Sequence, residues 1–278
     1  MGALVAIHQS DPNLLPCQVT RLDTHVALAE PDRLPDAYGF GHYGGGSVLL
    51  GKRPTGAPHA LGLAELVGQL DSESLLVHAR YATVGKAKDE NTHPFRFRRW
   101  LFAHDGTVEA FDRVRPKLVA ALPDFLRRNV MGETDSEHVF SWFLKLLKDE
   151  NRIDELDLDA GTAARALAGT IRQLETWARE AGAQRPSRLD LVATNGRIMV
   201  AARHGGPLHY ALLEGIVPCT LHGLDVRTPE SDPQVRPHRV VKAVAFASRL
   251  RTPNGFIEVP DGSVVAVSRT LQVTVSAI

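Results

Sequence analysis

"LLVHARYATVGKAKDENTHPF" (residues 75–95) is an apolar strand that ends in polar chemistry. Leu75, Leu76 and Val77 are strand formers, and the predicted strand 74–81 delivers Arg80 and then Thr83 to a glycine-containing loop closing on Asn91-Thr92-His93-Pro94. An arginine at a strand end presents a planar fork that matches a carboxylate with two parallel hydrogen bonds. It can equally pair with a neighbouring Asp or Glu, and this stretch alone does not choose between the two.

Two further stretches carry polar residues that a plain element would not need. "RWLFAHDGTVEAF" (99–111) is an apolar strand closing on His104-Asp105-Gly106. It reads either as a turn with a helix cap or as a place where the Gly106 N–H faces a ligand, since glycine permits close backbone approach. In "GETDSEHVFSWFL" (132–144), Thr134-x-x-Glu137 makes a capping box for an amphipathic helix. Asp135 then sits in the first turn, where a negative charge is favoured.

Working outward, period-2 segments lie toward both ends of the chain and helical periodicity lies in the middle. Strands are expected at 3–8, 38–43, 47–52, 74–81, 100–104, 189–194, 197–203, 208–213, 240–247 and 263–275. Helices are expected within 60–70, 107–121, 136–148 and 160–181, with Phe140, Phe143, Leu144 and Leu147 forming one apolar stripe. "GHYGGGS" (41–47) reads as a hairpin turn, and 224–239 as an exposed loop between strands. Runs of strands separated by helix pairs predict antiparallel sheets with segregated helices in one domain spanning 1–278.

Composition excludes several classes. Lys+Arg and Asp+Glu both number 32, so no global field recruits nucleic acid or an acidic membrane surface. No stretch reaches the roughly 20 apolar residues of a membrane helix, and no signal peptide is evident, which predicts a cytoplasmic protein. Cys17 and Cys219 lack CxxC spacing, which argues against a disulfide framework or a zinc knuckle. His78, His93 and His104 are not spaced as helical ligands, so neither a metal nor another cofactor is expected. Gly2 suggests myristoylation, but that motif wants Ser or Thr where Ala6 stands.

Together, in this order and spacing, the three stretches resemble the class II glutamine amidotransferases, which are N-terminal nucleophile hydrolases. "HARYATVGKAKDENTHPF" is similar to the family's His-x-Arg-x-Ala-Thr segment with its Asn-Thr-His-Pro-Phe. "WLFAHDG" is similar to its Phe-Ala-His-Asn-Gly and "GETDSE" to its Thr-Asp-Ser-Glu. "YGFGHY" (38–43) and "ASRLRTPNGFIEVPDGSVV" (247–265) resemble parts of the compact, stand-alone branch, which includes γ-glutamyl hydrolases. The resemblance implies an α+β fold, a four-layer αββα sandwich of two antiparallel sheets with the 3–8 strand central. It also implies that Arg80 pairs with the α-carboxylate of glutamine, that Thr83 and the His93 region hydrogen-bond it, and that Asp135 with the Gly106 backbone takes its α-ammonium.

Two departures concern catalysis. The family's nucleophilic cysteine follows the initiator methionine, and here that position is Gly2, which favours methionine removal but supplies only an amine. Losing the nucleophile costs comparable hydrolases on the order of a millionfold in turnover. Asp105 stands where the family has the asparagine that donates to the oxyanion, and an ionised carboxylate only accepts. Cys17 could take over only after loss of the first sixteen residues, and "CQVTRLD" lacks the apolar strand that should follow.

The expected function is therefore binding of glutamine or a γ-glutamyl compound with impaired catalysis. The alternatives are an active γ-glutamyl amide hydrolase whose native nucleophile has been replaced by Gly2, and a non-catalytic sensor or partner subunit. No synthase segment is evident in this sequence, so any ammonia acceptor would be a separate synthase or partner.

Overall fold

The computed structural model describes residues 2–53, 59–81 and 88–278. The strands are β1 (Ala3–Gln9), β2 (Ala37–Gly44), β3 (Ser47–Arg53), β4 (Ser74–Arg80), β5 (Phe95–Phe97), β6 (Trp100–Thr107) and β7 (Arg188–Thr194). They continue with β8 (Met199–Arg203), β9 (His209–Glu214), β10 (Lys242–Ala247), β11 (Ile257–Glu258), β12 (Ser263–Val267) and β13 (Val273–Ala277). The helices are α1 (Leu15–Asp23), α2 (Leu63–Val67), α3 (Phe111–Ala121), α4 (Asp124–Arg127), α5 (Asp135–Asp149), α6 (Ala160–Glu180) and α7 (Val235–Val240).

Two antiparallel sheets form, in the orders β11-β9-β10-β1-β4-β2-β3 and β13-β12-β8-β7-β6-β5. The first strand occupies the middle of the larger sheet, paired with β10 on one side and β4 on the other. Its sequence explains the position. All seven residues of β1 are buried, because alternate side chains face opposite directions and both directions are covered. Ala3, Val5 and Ile7 pack with Leu15, Val19 and Leu22 of α1 and Leu63 and Val67 of α2. Leu4 and Ala6 face the second sheet, meeting a core that includes Leu101, Ala103, Val192, Met199 and Val265.

The far face of the second sheet is covered by α3, α5 and α6. Aromatic side chains make the junction: Phe102 stacks on Phe140 at 5.0 Å between ring centroids, and Trp100 meets Phe143 edge-on at 5.2 Å. Trp177 of α6 is buried against Trp142, so it belongs to the apolar face of its helix. The layers are thus helix, sheet, sheet, helix, the expected α+β sandwich. No helix among the described residues is long and apolar enough to cross a membrane.

Several expectations change in detail. The expected helix at 60–70 is cut to five residues between Gly62 and Gly68. α3 starts at Phe111 rather than 107 because β6 runs on to Thr107 and Ala110 adopts a left-handed conformation. The 263–275 strand is a hairpin, β12 and β13, broken at Ser268–Gln272. The 224–239 loop contains α7, and α1 was not expected at all. The β2–β3 hairpin turns at Gly45 and Gly46, both at positive φ, as the glycine run predicted.

Candidate functional site

Antiparallel pairing sets the site. Ala3 lies opposite Ala79, so the beginning of β1 is brought beside the end of β4, where Arg80 sits. The end of β6 and the first turn of α5 complete the surroundings. Gly2, His78, Arg80, Tyr81, His93, His104, Gly106, Thr134, Asp135 and Ser136 line one cavity of about 40 Å³. Of the residues expected at a site, Gly2, Arg80, His93, Gly106 and Asp135 are brought together there. Asp105 does not line that cavity but accepts the N–H of Gly2, which does, and Thr83 lies outside the described residues.

Residue 2 is defined by its neighbours. Its N–H donates to Asp105 Oδ1 at 2.7 Å. A β-carbon placed on it would stand 2.5 Å from His78 Nε2, 2.8 Å from His78 Cε1 and 2.9 Å from the Ala79 carbonyl oxygen. The His78 imidazole therefore occupies the space in which a side chain at residue 2 would begin. That ring is buried, and it packs against His93 with 4.2 Å between centroids, His93 in turn lying edge-on to Phe95.

Neither ring nitrogen of His78 or His93 has a hydrogen-bond partner among the described residues. Burial is the main reason that both resist protonation. His78 is pushed down to about 4, and His93, which also feels His78, lies well below the ordinary histidine value. Both are neutral at pH 7. Unlike those two rings, His104 has hydrogen-bond partners on both nitrogens: its Nε2 donates to the Arg188 carbonyl at 3.0 Å, and its Nδ1 lies 3.0 Å from Ser136 Oγ.

Asp105 accepts a hydrogen bond on one oxygen and faces an arginine with the other. Oδ1 takes the Gly2 N–H and Oδ2 lies 3.6 Å from Arg188 Nη2. Across the β6–β7 pairing, Asp105 stands directly opposite Asp190. Burial first, and then the charge of Asp105, push the Asp190 carboxyl up to about 7. Arg188 and Asp190 were missed in the sequence, although two opposite charges inside the otherwise apolar "RLDLVAT" were the available signal.

The α5 terminus departs from a full capping box. Thr134 Oγ1 accepts from the Glu137 N–H at 3.4 Å, but the Glu137 carboxylate turns away to accept from the Met131 and Gly132 N–H groups at 2.9 and 2.6 Å. Those two amides precede the helix, so Glu137 fastens the incoming loop instead of the N-cap. Asp135 Oδ2 accepts from the Val108 N–H and Oδ1 from the Ser136 N–H, both at 2.8 Å. This ties α5 to the segment after β6. A carboxylate has about four lone-pair sites, so Asp135 retains acceptor capacity. Gly106 is required by packing: a β-carbon there would overlap the Arg188 carbonyl.

The model of class-II glutamine amidotransferases matches residues 1–224. The chain belongs to the class-II glutamine amidotransferase family. Among relatives of this amidotransferase-family chain, "Probable glutamine amidotransferase DUG3" of Saccharomyces cerevisiae is 31% identical over 150 residues, 51% of this chain and 42% of that one. The match thus spans less than half of the yeast protein's length. A glutamine aminotransferase class-II domain protein from Silicibacter pomeroyi has the same fold, with a TM-score of 0.61 at 19% identity, covering 99% of both chains. Glutamine phosphoribosylpyrophosphate amidotransferase from B. subtilis aligns with a TM-score of 0.53 at 14% identity, over 99% of this chain and 49% of that one.

Proposed function

We propose that this class-II amidotransferase chain binds glutamine or a γ-glutamyl compound beside Gly2 without hydrolysing it through a covalent intermediate. The observation that carries the reading is at residue 2, which has no side chain and whose side-chain space is filled by His78. Asp105 supports it, since a carboxylate already accepting the Gly2 N–H offers a developing oxyanion repulsion rather than a donor.

The binding roles rest on residues of the same cavity. Arg80 takes the ligand carboxylate, Asp135 with the Gly106 backbone takes the ammonium, and a ring nitrogen of His93 supplies a hydrogen bond; the same role for Thr83, which lies outside the described residues, rests on the family resemblance alone. An active hydrolase with its cysteine exchanged for glycine is the weaker reading, because that exchange alone would not also put an aspartate at position 105, where the family resemblance expects the oxyanion asparagine. A non-catalytic partner subunit is the second reading, favoured by the cavity of only about 40 Å³. In that case, the acceptor of any ammonia and the enzyme producing it belong to a separate synthase.

Titration calorimetry with L-glutamine and with a γ-glutamyl amide tests the proposal. Heat is expected for the wild-type chain and lost in Arg80→Ala, as leaving a buried ligand carboxylate unpaired costs about 2 to 5 kcal/mol. Ammonia release at ordinary enzymatic rates overturns it. Absence of binding to either compound leaves the partner-subunit reading.

A further inference from the structure

Away from the Gly2 cavity, the fold gathers four side chains from three separate segments of the chain. Cys17 lies in α1, Cys219 and His222 on one turn, and His238 in α7. Their donor atoms all lie within 4.8 Å of one another. Cys17 Sγ is 3.2 Å from His222 Nδ1 and 3.6 Å from His238 Nε2. Cys219 Sγ is 3.7 Å from His222 Nδ1, and the two imidazole nitrogens are 3.1 Å apart.

We infer that Cys17, Cys219, His222 and His238 form a structural site for a tetrahedral divalent transition metal, of which zinc fits best. A zinc ion with sulfur at about 2.3 Å and nitrogen at about 2.0 to 2.1 Å sets its donors roughly 3.3 to 3.8 Å apart at tetrahedral angles. Four of the six donor–donor edges, at 3.1 to 3.7 Å, match or closely approach those values, and the other two lie within 4.8 Å. Two thiolates and two imidazoles are the borderline-soft donors zinc selects, and two thiolates cancel the charge of the dication.

The supporting shell agrees. His238 Nδ1 lies 2.7 Å from the Gln234 carbonyl, which can only accept, so Nδ1 carries the proton and Nε2 turns a bare lone pair toward the cluster. A backbone carbonyl fixing the tautomer in this way is the usual support of a metal-bound imidazole. Cys219 and Leu224 exchange both backbone hydrogen bonds at 2.9 Å, closing a tight turn on Gly223, which has φ of +65°. That turn places Cys219 and His222, a Cys-x-x-His pair, on one side. Leu14, Ile216, Leu224, Val235 and Val241 surround the two cysteines with apolar side chains.

Four protein donors leave no open position, so the metal's role is to fasten the 216–241 segment onto α1, which packs on β1. The sequence conceals this because only one pair, Cys219 and His222, is close in the chain. The absence of a CxxC motif excluded a knuckle, but not a site assembled from three segments.

The test uses the full chain, purified under reducing conditions without chelator and exposed to zinc or to Co(II). Mass spectrometry of metals should find one zinc per chain, and X-ray absorption at the zinc edge should show two sulfur and two nitrogen ligands. The Co(II) form should show thiolate charge-transfer bands and the intense visible bands of tetrahedral cobalt. His222→Ala changes an exposed residue and should weaken zinc affinity by at least about 10-fold with the circular dichroism unchanged. A folded chain that takes up neither metal, an edge spectrum without sulfur, or zinc retained by Cys17→Ser/Cys219→Ser overturns the assignment. So does a Cys17–Cys219 disulfide that persists under those conditions.

Discussion

His78 Nε2 stands 2.5 Å from the point where Gly2 would carry a β-carbon, so the histidine and the glycine are mutually dependent. A side chain at residue 2 needs the buried imidazole to leave, and the Ala79 carbonyl, at 2.9 Å from the same point, limits any adjustment by the backbone.

Gly2→Ala is therefore expected to destabilise the chain by about 1 to 3 kcal/mol through overpacking. The penalty should shrink in a His78→Ala background, because the nearest obstacle is gone. Urea unfolding of wild type, both single variants and the double variant forms the cycle, and additive losses would show that the two residues do not share that space.

Restoring hydrolysis requires more than a thiol. Gly2→Cys alone should release little ammonia from glutamine, since the sulfur enters a space held by His78 and faces Asp105 as an acceptor. Gly2→Cys with Asp105→Asn should release more, as nucleophile and oxyanion donor act on the same intermediate. Equal rates for the two variants in a coupled ammonia assay would remove Asp105 from the account.

The pH dependence of stability has two opposed contributions. The folded carboxyl of Asp190 is raised to about 7, so its contribution is largest below the ordinary carboxylate range and is lost as pH rises toward 7. His8 and His78 are both lowered to about 4, mainly by burial, so their contribution is present above about 6.5 and is lost as pH falls toward 4. Between pH 5 and 6 the histidines dominate, and stability should rise with pH. Each proton contributes up to about 1.4 kcal/mol per pH unit. Asp190→Asn should steepen that rise and His8→Gln should flatten it, read from urea midpoints across the interval. Parallel profiles would contradict the assignment.

Gly106→Ala should cost about 3 kcal/mol or more, because the obstacle is the Arg188 carbonyl, a backbone atom of the paired strand. Thermal unfolding measures it. A change within the noise of a surface substitution would mean that β6 and β7 can separate at this point.

Local pattern was enough to place most strands and the long helices of this protein. β1 announces itself as a run of apolar residues with no polar alternate, which means burial on both faces, and α5 as an apolar stripe behind Thr134. The motifs around Arg80, Gly106 and Asp135 are likewise contiguous in the chain, and those residues do meet in one cavity. α1 was legible in principle, with Leu15, Val19 and Leu22 at helical spacing, but Pro12 and Pro16 mask its start. What tertiary structure alone decided are relations between distant residues. The position of the His78 ring depends on the packing of His93 and Phe95, which no periodicity encodes. Asp105 meets the Gly2 N–H across 103 residues, and Cys17 meets His238 across 221, because antiparallel pairing and helix docking bring chain ends together. Side-chain periodicity reports which face of an element is buried; it carries no information about which distant side chain will share that face.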